Sequence, residues 1–221
     1  NGTYRYCLWL HNISPSAYKM YAEITDRIRR VHDFRIASTK QMTRDSAQTP
    51  MLFQEIRHND KEYIIVPRHS SENRKYIPMG FVNKDCIATD AVQIIPDATL
   101  YQFGVLTSTM HMAWTRTVCG RLKSDYRYSN KLVYNNFPWP EATEAQQEKI
   151  SVLAQGVLDA RALYPECSLA DLYDPLTMPP ELVAAHRKVD AAVEKAYGRS
   201  FADDAERVAF LFEKYRELTE K

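Results

Sequence analysis

The segment Gly120 to Ser129, GRLKSDYRYS, places Arg121, Lys123, Asp125 and Arg127 at every second position. In an extended chain alternate side chains face the same way. Read as one strand, the segment projects Arg121, Lys123, Asp125, Arg127 and Ser129 from one side and Leu122, Tyr126 and Tyr128 from the other. Donors flanking a single acceptor suit the edges of base pairs, since Lys or Arg donates to guanine O6 and N7 and Asp accepts from cytosine N4. The plain alternative is a solvated strand edge whose charges keep it from pairing with other chains. Taken alone, the segment is better explained by that alternative.

Other chemistry is scarce. The sequence has no H-E-x-x-H, no G-x-S-x-G and no P-loop, and its 6 glycines leave little material for a loop that cradles phosphate. His11, His32, His58, His69, His111 and His186 stand singly, which suits hydrogen-bonded core or surface residues better than ligands or bases. The 4 cysteines are far apart, with no C-x-x-C, and are expected as reduced core thiols. Asn136-Phe137-Pro138-Trp139 resembles the Asn-Pro-Pro-aromatic signature of amino-methyltransferases, whose Asn accepts from the target amine while the ring stacks on a flipped base. No Gly-rich strand-turn-helix precedes it to hold S-adenosylmethionine, so a linker whose aromatics pack inward is the better expectation.

These residues need elements to carry them. Thr3 to Leu10 alternates like a strand, and Ser14-Pro15 then opens a helix expected to run to about Val31. Ser38 to Pro50 lacks periodicity and predicts a loop. MLFQEI, EYIIVP and AVQIIP, between Met51 and Pro96, are β-like runs separated by prolines and the polar stretch RHSSENRKY. Phe103 to Val118 predicts one helix stopped by Gly120, and YRYSNKLVY returns to strand character until NNFPWP ends it. Beyond Pro140 the pattern changes to three amphipathic helices, carrying Ile150 and Val157, then Leu182, Val189 and Val193, then Val208, Leu211 and Phe212.

The chain of 221 residues, 45% hydrophobic and 26% charged, can bury a real core, and no apolar run approaches the roughly 20 residues that span a bilayer. Its net charge of +1 conceals an asymmetry: residues 1–140 hold 19 Lys/Arg against 12 Asp/Glu, and residues 141–221 hold 10 against 16. A basic section beside an acidic one points to polyanion binding or to two unlike solvated surfaces. The expected fold is α+β: a mixed, β-rich domain with helices over 1–140, then a small all-α domain over 141–221. The missing initiator Met at Asn1 suggests part of a longer polypeptide, and the scattered cysteines and absence of a secretory signal lead to the expectation of a cytoplasmic protein.

The blocks NGTYRYCLWL, SSENRKYIPMGF, STMHMAW, CGRLKSDYRYS, VYNNFPWP and SLADLYDP, in that order, resemble the MmeI-like DNA methyltransferases over essentially the whole chain. These are fused restriction-modification proteins with a nuclease, an S-adenosylmethionine-dependent adenine N6-methyltransferase and a target recognition domain. The resemblance implies a target recognition domain followed by a C-terminal helical segment, with double-stranded DNA and the upstream methyltransferase and nuclease domains as partners. It implies that Lys123 and Asp125 read a base pair, that Arg127 acts with an upstream position at Ala91, and that Ser70, Ser71, Arg74 and Arg121 lie at or near DNA. The cofactor motif, the Asn-Pro-Pro-Tyr and the nuclease residues are not in this sequence. The chain alone is therefore expected to bind no cofactor and perform no catalysis, whereas its full-length parent is expected to be an enzyme using S-adenosylmethionine. Two rivals remain: a stand-alone DNA- or RNA-binding module, and a structural domain that binds other proteins.

Overall fold

The computed structural model describes residues 5–56 and 60–220. Contacts divide the chain near residue 58 into a smaller N-terminal unit and a larger unit running to the C-terminus. His58 lies outside the described residues, as do Thr3 and Tyr4 of the expected first strand.

The smaller unit is helical: α1 (Pro15–Tyr18), α2 (Ala22–Ile36), α3 (Gln41–Asp45) and a 3-10 turn, Ser46–Gln48. Residues 5–10 form no strand, because no neighbouring strand takes up their backbone groups among the described residues. The helix expected from Pro15 breaks at Tyr21, whose extended backbone (φ −97°, ψ 108°) restarts it at Ala22. The expected loop 38–50 is instead ordered by Arg35. Its buried guanidinium donates to the carbonyls of Ser46, Thr49 and Leu52 at 2.8, 3.1 and 2.7 Å, a long-range tie that periodicity cannot reveal. MLFQEI, at 51–56, forms turns rather than a strand.

In the larger unit, β1 (Tyr63–Pro67) lies between β3 (Gly80–Val82) and β4 (Val92–Pro96) in an antiparallel sheet. A second antiparallel sheet has the order β2 (His69–Ser70), β6 (Asp125–Arg127), β5 (Gly120–Leu122). β1 passes into β2 across a bend at Arg68, so one short stretch of chain serves both sheets. Helices α4 (Leu100–Leu106) and α5 (Thr109–Val118) replace the single helix expected over 103–118. The break follows from Thr107 and Ser108, whose hydroxyls donate back to the carbonyls of Phe103 and Val105, while Ser108 caps α5 by accepting from the His111 amide. Asn130–Tyr134 forms a π-helical turn where strand character was expected.

The C-terminal helices α6 (Glu144–Ala162), α8 (Pro180–Ala196) and α9 (Asp204–Thr219), with the short α7 (Leu169–Leu172), follow the amphipathic pattern. They share a continuous core with the strands and with α4 and α5, centred on Ile64, Phe103, Trp114, Ile150 and Val189. α4 and α6 cross so closely at Gly104 that an added Cβ would stand 2.6 Å from Ile150 Cγ2. The cysteines are free, but only Cys119 is buried; Cys7 and Cys167 are exposed, against the expectation of core thiols. Among the described residues no helix is long and apolar enough to cross a membrane.

Candidate nucleic-acid interface

The segment expected as one strand is a hairpin. β5 and β6 pair with Gly120 opposite Arg127, Arg121 opposite Tyr126 and Leu122 opposite Asp125, leaving Lys123 and Ser124 as a two-residue turn. Lys123 takes φ of 55°, in the left-handed region that such turns demand at their first central position and that glycine adopts with least strain. Residues directly opposite share a face and successive residues alternate. The four charged groups therefore do not share one side. Asp125 and Arg127 project from one face together with Leu122 and with His69, which pairs with Arg127 across β2. Arg121 lies on the opposite face with Tyr126 and Ser70, and Lys123 stands at the tip.

The two faces differ in chemistry. His69, Leu122, Asp125 and Arg127 are exposed, whereas Ser70 and Tyr126 are buried. Arg121 is locked in place: its guanidinium donates to the carbonyls of Ser124 and Arg116 at 2.9 and 3.1 Å, lies 4.3 Å over the Tyr126 ring, and approaches the Glu72 carboxylate at 3.8 Å. Those contacts orient Arg121, which remains exposed. Lys123 and Arg127 have no side-chain hydrogen bond among the described residues and so present free donors. Asp125 Oδ1 accepts from the Glu72 amide at 3.2 Å, which orients the carboxylate and leaves acceptor capacity outward.

Ala91 is linked to the hairpin through the backbone of Arg68. The Arg68 amide donates to the Ala91 carbonyl at 3.0 Å, and the Arg68 carbonyl accepts from the Tyr128 amide at 2.8 Å. Arg68 thus stands between Ala91 and Tyr128, the residue after Arg127. Ser70 is buried with a hydroxyl that finds no partner among the described residues, and Ser71 accepts from the Asn73 amide within a turn. Arg74 turns away and donates to the Ala170 carbonyl on α7 at 3.4 Å. The structure thus brings Lys123, Asp125 and Arg127 together on one hairpin, ties Ala91 to it through Arg68, sets Arg121 and Ser70 on its other face, and leaves Ser71 in a turn and Arg74 against α7. The sequence alone leaves out His69 and Glu72 because they lie in a stretch that reads only as polar; strand register reveals His69, and the bonds to Asp125 and Tyr126 reveal Glu72.

The rival motif is accounted for by packing. The Asn136 side-chain amide donates to the carbonyls of Lys131 and Leu132 at 2.9 and 3.3 Å, closing the π-helical turn. Phe137 is buried against His111 and Trp139, and the Pro138 carbonyl accepts from the Tyr197 hydroxyl at 2.7 Å. His111 and His186 are buried and burial pushes each pKa down to about 3, so both are neutral core residues bonded to the hydroxyls of Tyr128 and Tyr173. Among the described residues no three His, Cys, Asp or Glu side chains converge as a metal site. S-adenosylmethionine does not fit these residues either: both sheets are antiparallel, and the Asn that could hold a target amine is committed to the π-helical turn.

Residues 1–141 match the family model of the MmeI target recognition domain, and residues 142–221 match that of the MmeI C-terminal domain. DNA methyltransferase A of Bacillus subtilis (strain 168) is 42% identical over 222 residues, which cover 100% of this chain and 25% of that protein. The type IIL restriction-modification enzyme MmeI, solved in complex with DNA, superposes with a TM-score of 0.93 at 46% identity, over 97% of this chain and 29% of that one. The chain thus spans between a quarter and a third of the length of these relatives. With matches to both domain models end to end, the chain belongs to the MmeI family, as its target recognition domain joined to its C-terminal domain.

Proposed function

We propose that this chain reads the target sequence of double-stranded DNA for an S-adenosylmethionine-dependent adenine N6-methyltransferase. The relatives are several times longer, and the parent polypeptide would supply the cofactor site and the methyl transfer, with a nuclease fused to it in the manner of restriction-modification enzymes, in the cytoplasm. Residues 1–140 would carry recognition and residues 141–221 would support it. One observation carries the reading: an exposed strand face presents Asp125 and Arg127 with the free donor Lys123 at its tip. Lys123 donates to O6 and N7 of a guanine while Asp125 accepts from N4 of the paired cytosine, a combination that specifies one orientation of a G·C pair. Arg127 acts together with Ala91. Arg121, Ser70, Ser71 and Arg74 hold this face in position.

Mapping the modified adenines in DNA from cells expressing the full-length gene tests the proposal. A defined adenine-containing site supports it, and unmodified DNA from cells with abundant soluble protein sinks it. A duplex-DNA gel shift separates the protein-binding rival, because affinity that rests on phosphate neutralisation falls as salt rises.

A further inference from the structure

Between the candidate readout hairpin and the C-terminal helices runs the segment 72–79, and it is held from both sides. On the hairpin side, the Glu72 amide donates to Asp125 Oδ1, and the Glu72 carbonyl accepts from the Tyr126 hydroxyl at 3.4 Å. On the helical side, Arg74 donates to the Ala170 carbonyl of α7, and the Met79 carbonyl accepts from the buried Arg161 of α6 at 2.8 Å. Tyr76, fully buried, donates to Asp190 Oδ2 of α8 at 2.6 Å and stacks on His186 of the same helix with ring centroids 4.0 Å apart. Asp190 Oδ1 in turn accepts from the Thr109 amide at 2.8 Å, fixing the start of α5. At the other end of α5, Arg116 donates to the Lys75 carbonyl and to Asp204 of α9, while its own carbonyl accepts from Arg121 of the hairpin.

We propose that the C-terminal helices are the positioning frame of the recognition hairpin: Asp190, through Tyr76 and the segment 72–79, sets where the Asp125 carboxylate stands. This rests on the reading of the hairpin as the DNA-facing element. Asp190 is a positioning residue and touches no base. The path is short and polar: it starts at the buried Tyr76, whose bond to Asp190 resists displacement, and ends at the exposed bond between Glu72 and Asp125. A carboxylate that must meet a base edge needs its place fixed within about 0.5 Å, which a hairpin of two three-residue strands cannot achieve unaided. The asymmetry of charge along the chain acquires a role in this arrangement, since acidic residues of α8 and α9 hold the basic and backbone donors of the recognition part.

The test compares Tyr76→Phe, which removes one hydroxyl and keeps the ring on His186, with Val193→Ala, which removes core packing from the same helix. Amide hydrogen exchange of the 221-residue chain is the readout. In Tyr76→Phe, exchange at Glu72 and across Gly120–Arg127 is expected to rise roughly tenfold more than at the ladder amides of β1 and β4. In Val193→Ala it rises in proportion everywhere. An unchanged hairpin in Tyr76→Phe, or a rise confined to residues 74–79, overturns the proposal. The measurement involves no DNA, so it fails independently of the base-reading proposal, which falls if Asp125→Ala leaves base discrimination intact.

Discussion

Lys123 occupies a position where a lysine is strained, at a positive φ worth roughly 1 kcal/mol against glycine, and it does so at the exposed tip of the β5–β6 hairpin. Lys123→Gly is therefore expected to keep or raise stability by up to about 1 kcal/mol in urea unfolding, while base discrimination by the full-length protein drops by roughly 1–3 kcal/mol at one position of its site. A variant that loses stability and keeps discrimination would assign the residue to folding. The paired exchange Lys123→Glu with Asp125→Arg reverses donor and acceptor and should convert the accepted base from G to C at one position, seen by methylation mapping. An active double variant with unaltered specificity would return the hairpin to a solvated edge. The residue types of this pair were legible in the sequence. That Arg121 faces away from Asp125 and Arg127 was not, because a turn at Lys123 folds the expected single strand back on itself and places Arg121 on the face of Tyr126.

At the scale of elements, two helical glycines make opposite predictions. Gly104 of α4 faces Ile150 and Ala154 of α6 at distances that exclude a methyl group, so Gly104→Ala should cost roughly 1–3 kcal/mol despite its better helix propensity. Gly156 of α6 has nothing within 4 Å of an added Cβ, and Gly156→Ala should stabilise by roughly 0.5–1 kcal/mol. Thermal or urea melts of the two variants would separate them, and equal shifts would refute the close crossing of α4 and α6. The long C-terminal helices and the strands β1 and β4 were legible because their periodicity is local. The break between α4 and α5 lay in Thr107-Ser108-Thr109, a capping signal overridden by the apolar stripe on either side. β2 and β3 are too short for any pattern and exist only through their partners.

For the molecule as a whole, the two buried histidines dictate how stability varies with pH. Burial holds His111 and His186 neutral, with pKa values pushed down to about 3, so the unfolded chain takes up their protons first as pH falls. Their contribution is complete above the unfolded pKa of about 6.5 and is lost progressively toward pH 3; at pH 5 the loss is about 2 kcal/mol per histidine. Asp190, whose pKa burial raises, works in the opposite direction. A melting temperature unchanged between pH 7 and pH 5 would contradict the neutral burial of these rings. DNA affinity of this chain should be weak and should weaken further with salt, since its basic section is offset by an acidic one. Composition, the charge asymmetry, the amphipathic helices and the residue types of the recognition pair were determined by the sequence itself, because each depends on neighbours within a few positions. The register of β2 with β6, the placement of Ala91 beside the line that leads to Arg127, and the grip of Asp190 on Tyr76 were decided only by the tertiary structure. They join residues 23 to 114 positions apart, and such pairings leave no local period to read.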